Sequence, residues 1–280
     1  MKDDKSAEID EWVGLADQLL NRPLNWTAPA PADPSEFPVF RFVMFRAFIR
    51  AVTQYSSMLL LLKAGQWEDA LILGRSLYEL DLNLSKISGA KDPEADARQF
   101  VKFGKFQLIR LDQKQVTDDL QDARLKSEAS VEIRDCEKQL ADIAAKLDRD
   151  FGEFRTSKGK WRDTWSGSNV DELAQDIARE TGAQKGQSDY FVFKLGSLFT
   201  HNSPGSLFLG LPLEREMMNW DEFRATIDNA GRKGQRFFLH EASMCFIDIV
   251  GMAGCCIAGY ERDWFDAFAL PLLEKFLTVG

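Results

Sequence analysis

The chain of 280 residues holds only two histidines, His201 and His240, and four cysteines, Cys136, Cys245, Cys255 and Cys256. Two histidines are too few for most zinc sites, and no Cys-x-x-Cys spacing occurs. A di-iron carboxylate bundle needs Glu-x-x-His pairs on two helices, and neither histidine has an acid three residues before it. No metal and no cofactor is therefore expected, and the cysteines read as buried thiols. Apart from short runs such as Phe191-Val-Phe, polar and apolar residues do not alternate at period 2, and no Asn-Gly or Asp-Gly turn signal is present, so β structure has little support. A Walker loop and a Gly-x-Gly-x-x-Gly fingerprint are both missing; Trp165-Ser166-Gly167-Ser168 is no nucleophile elbow, because no apolar strand leads into it. The longest apolar stretch, Ser243 to Ile257, is broken by Asp248 and falls short of the ~20 residues that cross a bilayer. Met1-Lys-Asp-Asp-Lys leads into acidic residues without a signal-peptide core. These absences make a cytoplasmic chain without a membrane partner the expectation.

With 45% hydrophobic and 28% charged residues, the composition is that of a globular protein with a large core. A formal net charge of −9 argues against extended nucleic-acid binding, but it is compatible with a local basic groove. Helical spacing runs through the chain. A short amphipathic helix is predicted over about 6–20, and residues 22–38, with five of the nine prolines, form a wrap. Phe42, Phe45, Ile49 and Val52 mark the core stripe expected of a helix over 39–63, with Arg41, Arg46 and Arg50 off it. Gly65 ends that helix and Trp67 opens the next, to about Ser85, so the two should form an antiparallel hairpin. A helix over about 93–113 precedes a charged arm, residues 116–154, in which Ile133, Cys136, Leu140, Ile143 and Leu147 keep a 3-4-3-4 seam. That seam packs either on the chain's own bundle or on a second copy or protein partner. Helices capped near Ser168, starting near Ser188, capped at Asn219 or Asp221, running over about 231–260, and around 265–277 complete the chain. The economical architecture is all-α: one helical bundle over 1–280 with an inserted charged helical arm, and no repeat of 20 to 50 residues.

Polar residues fall where the pattern predicts core. The 67–85 helix is apolar on two sides, and the second side contains Arg75 and Glu79, which at i and i+4 can pair with each other. Both are expected to be buried, either as a self-satisfied ion pair or facing polar groups on another helix. The helix from Ser188 carries such a stripe: Tyr190, Lys194, Ser197 and His201 at i, i+4, i+7 and i+11. His201, just before Pro204, can act as acid, base or donor near neutral pH, or simply cap its own helix. The loop 156–168 interleaves Lys160, Trp161, Arg162 and Trp165, a composition suited to single-stranded bases and phosphates, or to a surface loop pinned by two tryptophans.

Three motifs in order, Arg75-Ser76-Leu77-x-Glu79, Trp165-Ser166-Gly167, and Tyr190-Phe191-x-Phe193-Lys194-x-x-Ser197-x-x-x-His201, resemble a bacterial all-helical family of unknown function. The resemblance spans about 37–203 and brings no activity with it. A more distant likeness is to HEPN ribonucleases, helical dimers of toxin and anti-phage defence systems. Their motif, Arg followed after four to six residues by His, faces its copy across the dimer and cleaves RNA without metal. Lys194-x6-His201 has the spacing, with Lys in the place of Arg. The likeness implies His201 as acid or base and Lys194 as a cation on the phosphorane, with Ser197, Arg75 and Glu79 around them and Tyr190, Lys160, Trp161, Arg162 and Trp165 holding substrate. The reading is thus an RNA-cleaving or RNA-binding effector, possible partners being RNA, a second copy, or a protein held by the arm; the alternative is a non-catalytic helical interaction or scaffold protein.

Overall fold

A computed structural model describes residues 4–26, 38–126, 130–181, 197, 220–257, 260–261 and 263–278. These residues hold eight α-helices and no strand, so the protein is all-α. They group into two compact units, Met1–Ala90 with Val170–Gly280, and Lys91–Asn169.

The first unit contains α1 (Asp4–Leu20), α2 (Val39–Lys63), α3 (Trp67–Ser88), α6 (Val170–Thr181), α7 (Trp220–Ala253) and α8 (Leu270–Thr278). Helices α2, α3 and α7 pack on one another; α1 lies on α2 and α7, and α6 on α3. The α2–α3 turn is tight because Gly65 adopts φ +74°, where a side chain would be strained. Gly74 brings α3 against α7: a Cβ there would sit 2.2 Å from a ring carbon of Phe238. Helix α7 is continuous from Trp220 to Ala253, where two helices were expected from the capping signals at Asn219 and Asp221.

The stripe on α2 is on the other side from the one expected. Val43, Met44, Ala47, Phe48, Ala51, Tyr55, Met58, Leu59 and Leu62 are buried, whereas Phe42 and Ile49 are 49% and 39% exposed. Helix α2 is apolar nearly all round, and the buried arc is the one whose small Ala47 and Ala51 let neighbouring helices approach.

The second unit is a helical pair, α4 (Pro93–Leu125) and α5 (Ser130–Phe151), followed by a short 3₁₀ turn (Gly152–Phe154) and the loop. Asp92 caps α4 by accepting from the Ala95 amide at 3.0 Å, with Pro93 in the first turn. Helix α4 runs unbroken through Val116, so the charged arm begins inside a helix. Ile133, Cys136, Leu140 and Ile143 are half-buried and Leu147 is buried, in a helix that packs on α4. The seam is used within the unit. Phe103, Phe106, Phe151 and Phe154 form its aromatic core, with ring centroids 5.1–6.5 Å apart.

Candidate functional site

In the first unit, Arg75 Nη2 and Glu79 Oε1 form an i,i+4 ion pair at 2.8 Å, with side chains 22% and 38% exposed. The pair exists, but half-buried rather than below the surface. The buried acid of α3 is Asp81, 2% exposed and 3.5 Å from Ser85 Oγ. The sequence reading passed over it, although Asp81 lies four residues from Leu77 and three from Tyr78, on the face those residues bury. Of the polar stripe, Ser197 is described, helical and half-buried; Tyr190, Lys194 and His201 lie outside the described residues. The other histidine, His240, meets Glu241 through Nδ1 at 2.8 Å. Three residues beyond His240, Ser243 Oγ donates to the Leu239 carbonyl at 2.7 Å and shares a 2.6 Å hydrogen bond with Tyr55 OH. Burial pushes the Tyr55 phenol well above the usual tyrosine range, despite the Ser243 hydrogen bond that lowers it.

The second unit carries a groove of about 950 Å³. One face of α4 forms a wall through Phe103, Phe106, Arg110, Lys114 and Thr117, repeating at 3 and 4 residue steps, and Lys160 to Asp163 of the loop form the other. The loop is held tightly. Gly159 turns it at φ +74°, its amide donates to the Thr156 carbonyl at 2.8 Å, and Arg162 donates back to the Phe154 carbonyl at 2.8 Å. The Arg155 guanidinium stacks 3.9 Å over the Trp161 ring and is fixed by Asp148 and by the Gly159 carbonyl at 2.7 Å. Trp161 packs its ring 5.1 Å from Phe106 as well, so it anchors the loop and contributes its remaining edge to the groove. Trp165 is 5% exposed, edge-on to Phe100 at 5.6 Å, and does not line the groove. Four cations, Arg110, Lys114, Lys160 and Arg162, and one carboxylate, Asp163, line this space. Among the described residues none of the four cations has an ion-pair partner, and the first three are exposed. The structure thus brings Lys160, Trp161 and Arg162 together and adds Arg110 and Lys114, whose i,i+4 spacing on a helix was a signal available in the sequence.

These two units define an all-α protein. Its chain belongs to DUF5677, a family of unknown function, whose model matches residues 41–215. That span includes Arg75, Glu79, the groove and the Tyr190–His201 stripe. No curated protein and no solved structure matches the chain.

Proposed function

We propose that the protein is a single-stranded RNA-binding effector of a bacterial defence or toxin-type system, with the groove of the second unit holding the phosphate backbone. One observation carries this reading: four cations without ion-pair partners among the described residues converge on one groove that also exposes aromatic and aliphatic surface. Such a combination tracks phosphates while apolar side chains support bases and sugars, and it needs no sequence-specific readout. A preordered loop lowers the entropy lost on binding. Cleavage is the finer part of the proposal. It resembles the HEPN reaction, with His201 moving the proton of a 2′-hydroxyl or leaving oxygen and Lys194 opposing the phosphorane charge, independent of metal.

Fluorescence anisotropy of a labelled 20-nucleotide single-stranded RNA tests the binding. Four phosphate contacts give a slope of log K against log salt of about −3, and Lys114→Ala or Arg162→Ala should each reduce it by about 0.7. Unchanged affinity and slope in both variants would refute the groove. Cleavage is checked separately in EDTA: His201→Ala and Lys194→Ala should each slow RNA turnover by roughly 10²-fold or more without loss of helicity.

The non-catalytic interaction reading draws on Leu108 and Leu111, each 62% exposed on the groove's α4 wall. Exposed leucines beside cations also suit an acidic amphipathic peptide. Affinity for RNA that is unchanged in the groove variants, with loss of a protein partner in Leu108→Ser, would favour it.

A further inference from the structure

Helix α2 contains Arg41, Arg46, Arg50 and Lys63 and no acidic residue, in a chain whose net charge is −9. Lys63 pairs with Asp17 at 3.1 Å; Arg41, Arg46 and Arg50 are exposed and have no ion-pair partner among the described residues. Opposite its buried arc, α2 presents Phe42, Arg46, Ile49, Thr53, Ser56 and Leu60, a 4-3-4-3-4 spacing along one line of the helix. All but the half-buried Ser56 are exposed, Phe42 by 49%, Ile49 by 39% and Leu60 by 64%. The eighteen residue steps from Phe42 to Leu60 make this line about 27 Å long, five turns. The Thr53 hydroxyl is turned back on the Ile49 carbonyl at 2.9 Å, so it asks for no polar partner. At 100° per residue, Arg41 and Arg50 lie on opposite flanks of the line, as charged residues flank the seam of a two-stranded coiled coil.

We propose that the solvent face of α2 is a docking seam for one amphipathic helix of a partner protein, with an apolar contact line and acidic flanks. The spacing selects a helix, since knobs at 3.5-residue intervals fit the holes of another helix. Charge selects its chemistry. Arg46 and Arg50 repel each other at i,i+4, and a surrounding of aspartates and glutamates would relieve that repulsion. A second copy docking by the same face would set arginines against arginines, which disfavours the isologous dimer. The face is a line along one helix, whereas the proposed phosphate track is a groove between α4 and a loop.

The probe is a fluorescein-labelled 21-residue synthetic helix with Leu at a and d and Glu at e and g; its control has Lys in place of Glu. Anisotropy titrations with the full chain should show saturable binding of the Glu peptide and at least tenfold weaker binding of the Lys peptide. Ile49→Asp should weaken the Glu peptide at least tenfold, and Arg46→Glu with Arg50→Glu should reverse the preference between the peptides. These positions are exposed, so far-UV circular dichroism should be unchanged. The proposal is overturned by the absence of Glu-peptide binding, by equal binding of both peptides, or by an affinity that Ile49→Asp leaves intact. Two further results would also overturn it: a dimer in sedimentation velocity that Ile49→Asp disperses, which assigns the face to a second copy, and loss of single-stranded RNA binding in the double arginine variant, which assigns it to RNA.

Discussion

Replacing Gly74 by alanine tests how α3 is seated on α7. A methyl at Gly74 would stand 2.2 Å from Phe238 Cε2 and 2.7 Å from Cζ, where unstrained carbons lie about 3.5–4.0 Å apart. The ring has little freedom to yield, because Phe238 is 1% exposed. Alanine gains about 1 kcal/mol of helix propensity over glycine, while overpacking costs about 1–3 kcal/mol and here belongs at the upper end. The net loss is about 2 kcal/mol, read as a fall in the urea midpoint followed by circular dichroism at constant m. Phe238→Leu alone should cost about 1–2 kcal/mol through the space it opens. In the Gly74→Ala background that space receives the methyl, so the double variant should be about 1–2 kcal/mol more stable than additivity predicts. An alanine variant as stable as wild type, or additive costs, would refute the close approach of these two helices.

The Arg75–Glu79 pair is half exposed, so Arg75→Met should cost about 1 kcal/mol rather than the several expected of a buried pair, and less in a Glu79→Gln background; equal urea-midpoint losses in both backgrounds would count against coupling. Tyr55→Phe removes the 2.6 Å bond to Ser243 and should cost about 1 kcal/mol at neutral pH. Because burial raises the phenol pKa in the fold, its contribution is complete below about pH 10 and is lost above it at about 1.4 kcal/mol per unit. The wild-type and Tyr55→Phe stability curves should therefore meet at about pH 10.7 and cross above it, and parallel curves would exclude the buried neutral phenol. Lys194→Arg should preserve or raise RNA turnover if the cation braces a phosphate, since arginine adds a bidentate fork; a fall to the Lys194→Ala rate would oppose that role.

Helix boundaries set by punctuation were readable in the sequence. Pro38 and Gly65 bracket α2, and Asp92-Pro93 opens α4, because a missing amide, a positive φ and a side-chain cap act within a few residues. The choice of buried face on α2 was not, since Phe42 and Ile49 are as apolar as Val43 and Phe48 and only the neighbouring helices decide between them. The break expected near Gln113 is likewise absent: polar surface on α4 changes what the helix touches, not whether it is helical. In the loop, cations and aromatics were identified from composition. Their division of labour was not, because whether a tryptophan is buried like Trp165 or partly open like Trp161 depends on Phe100 and Phe106, more than fifty residues away.

Net charge is a weak veto on nucleic-acid binding when charges are segregated. Residues 91–169 contain sixteen acidic and sixteen basic residues, so the whole excess of acid lies elsewhere in the chain. Within this balanced unit many of the acids are already engaged: Asp148 with Arg155, Glu153 with Lys102, Glu137 with Arg124, Glu94 with Arg98. Pairing of that kind cancels charge locally, whereas the lining of the groove is itself uneven: Arg110, Lys114, Lys160 and Arg162 against the single carboxylate of Asp163. At physiological ionic strength exposed charges are screened over about 8 Å, so a phosphate in the groove responds chiefly to the side chains that line it. The same screening makes the attraction short-ranged and salt-sensitive. The RNA binding proposed for this groove should therefore act by local contact with a steep salt dependence, without the long-range steering that a basic protein provides.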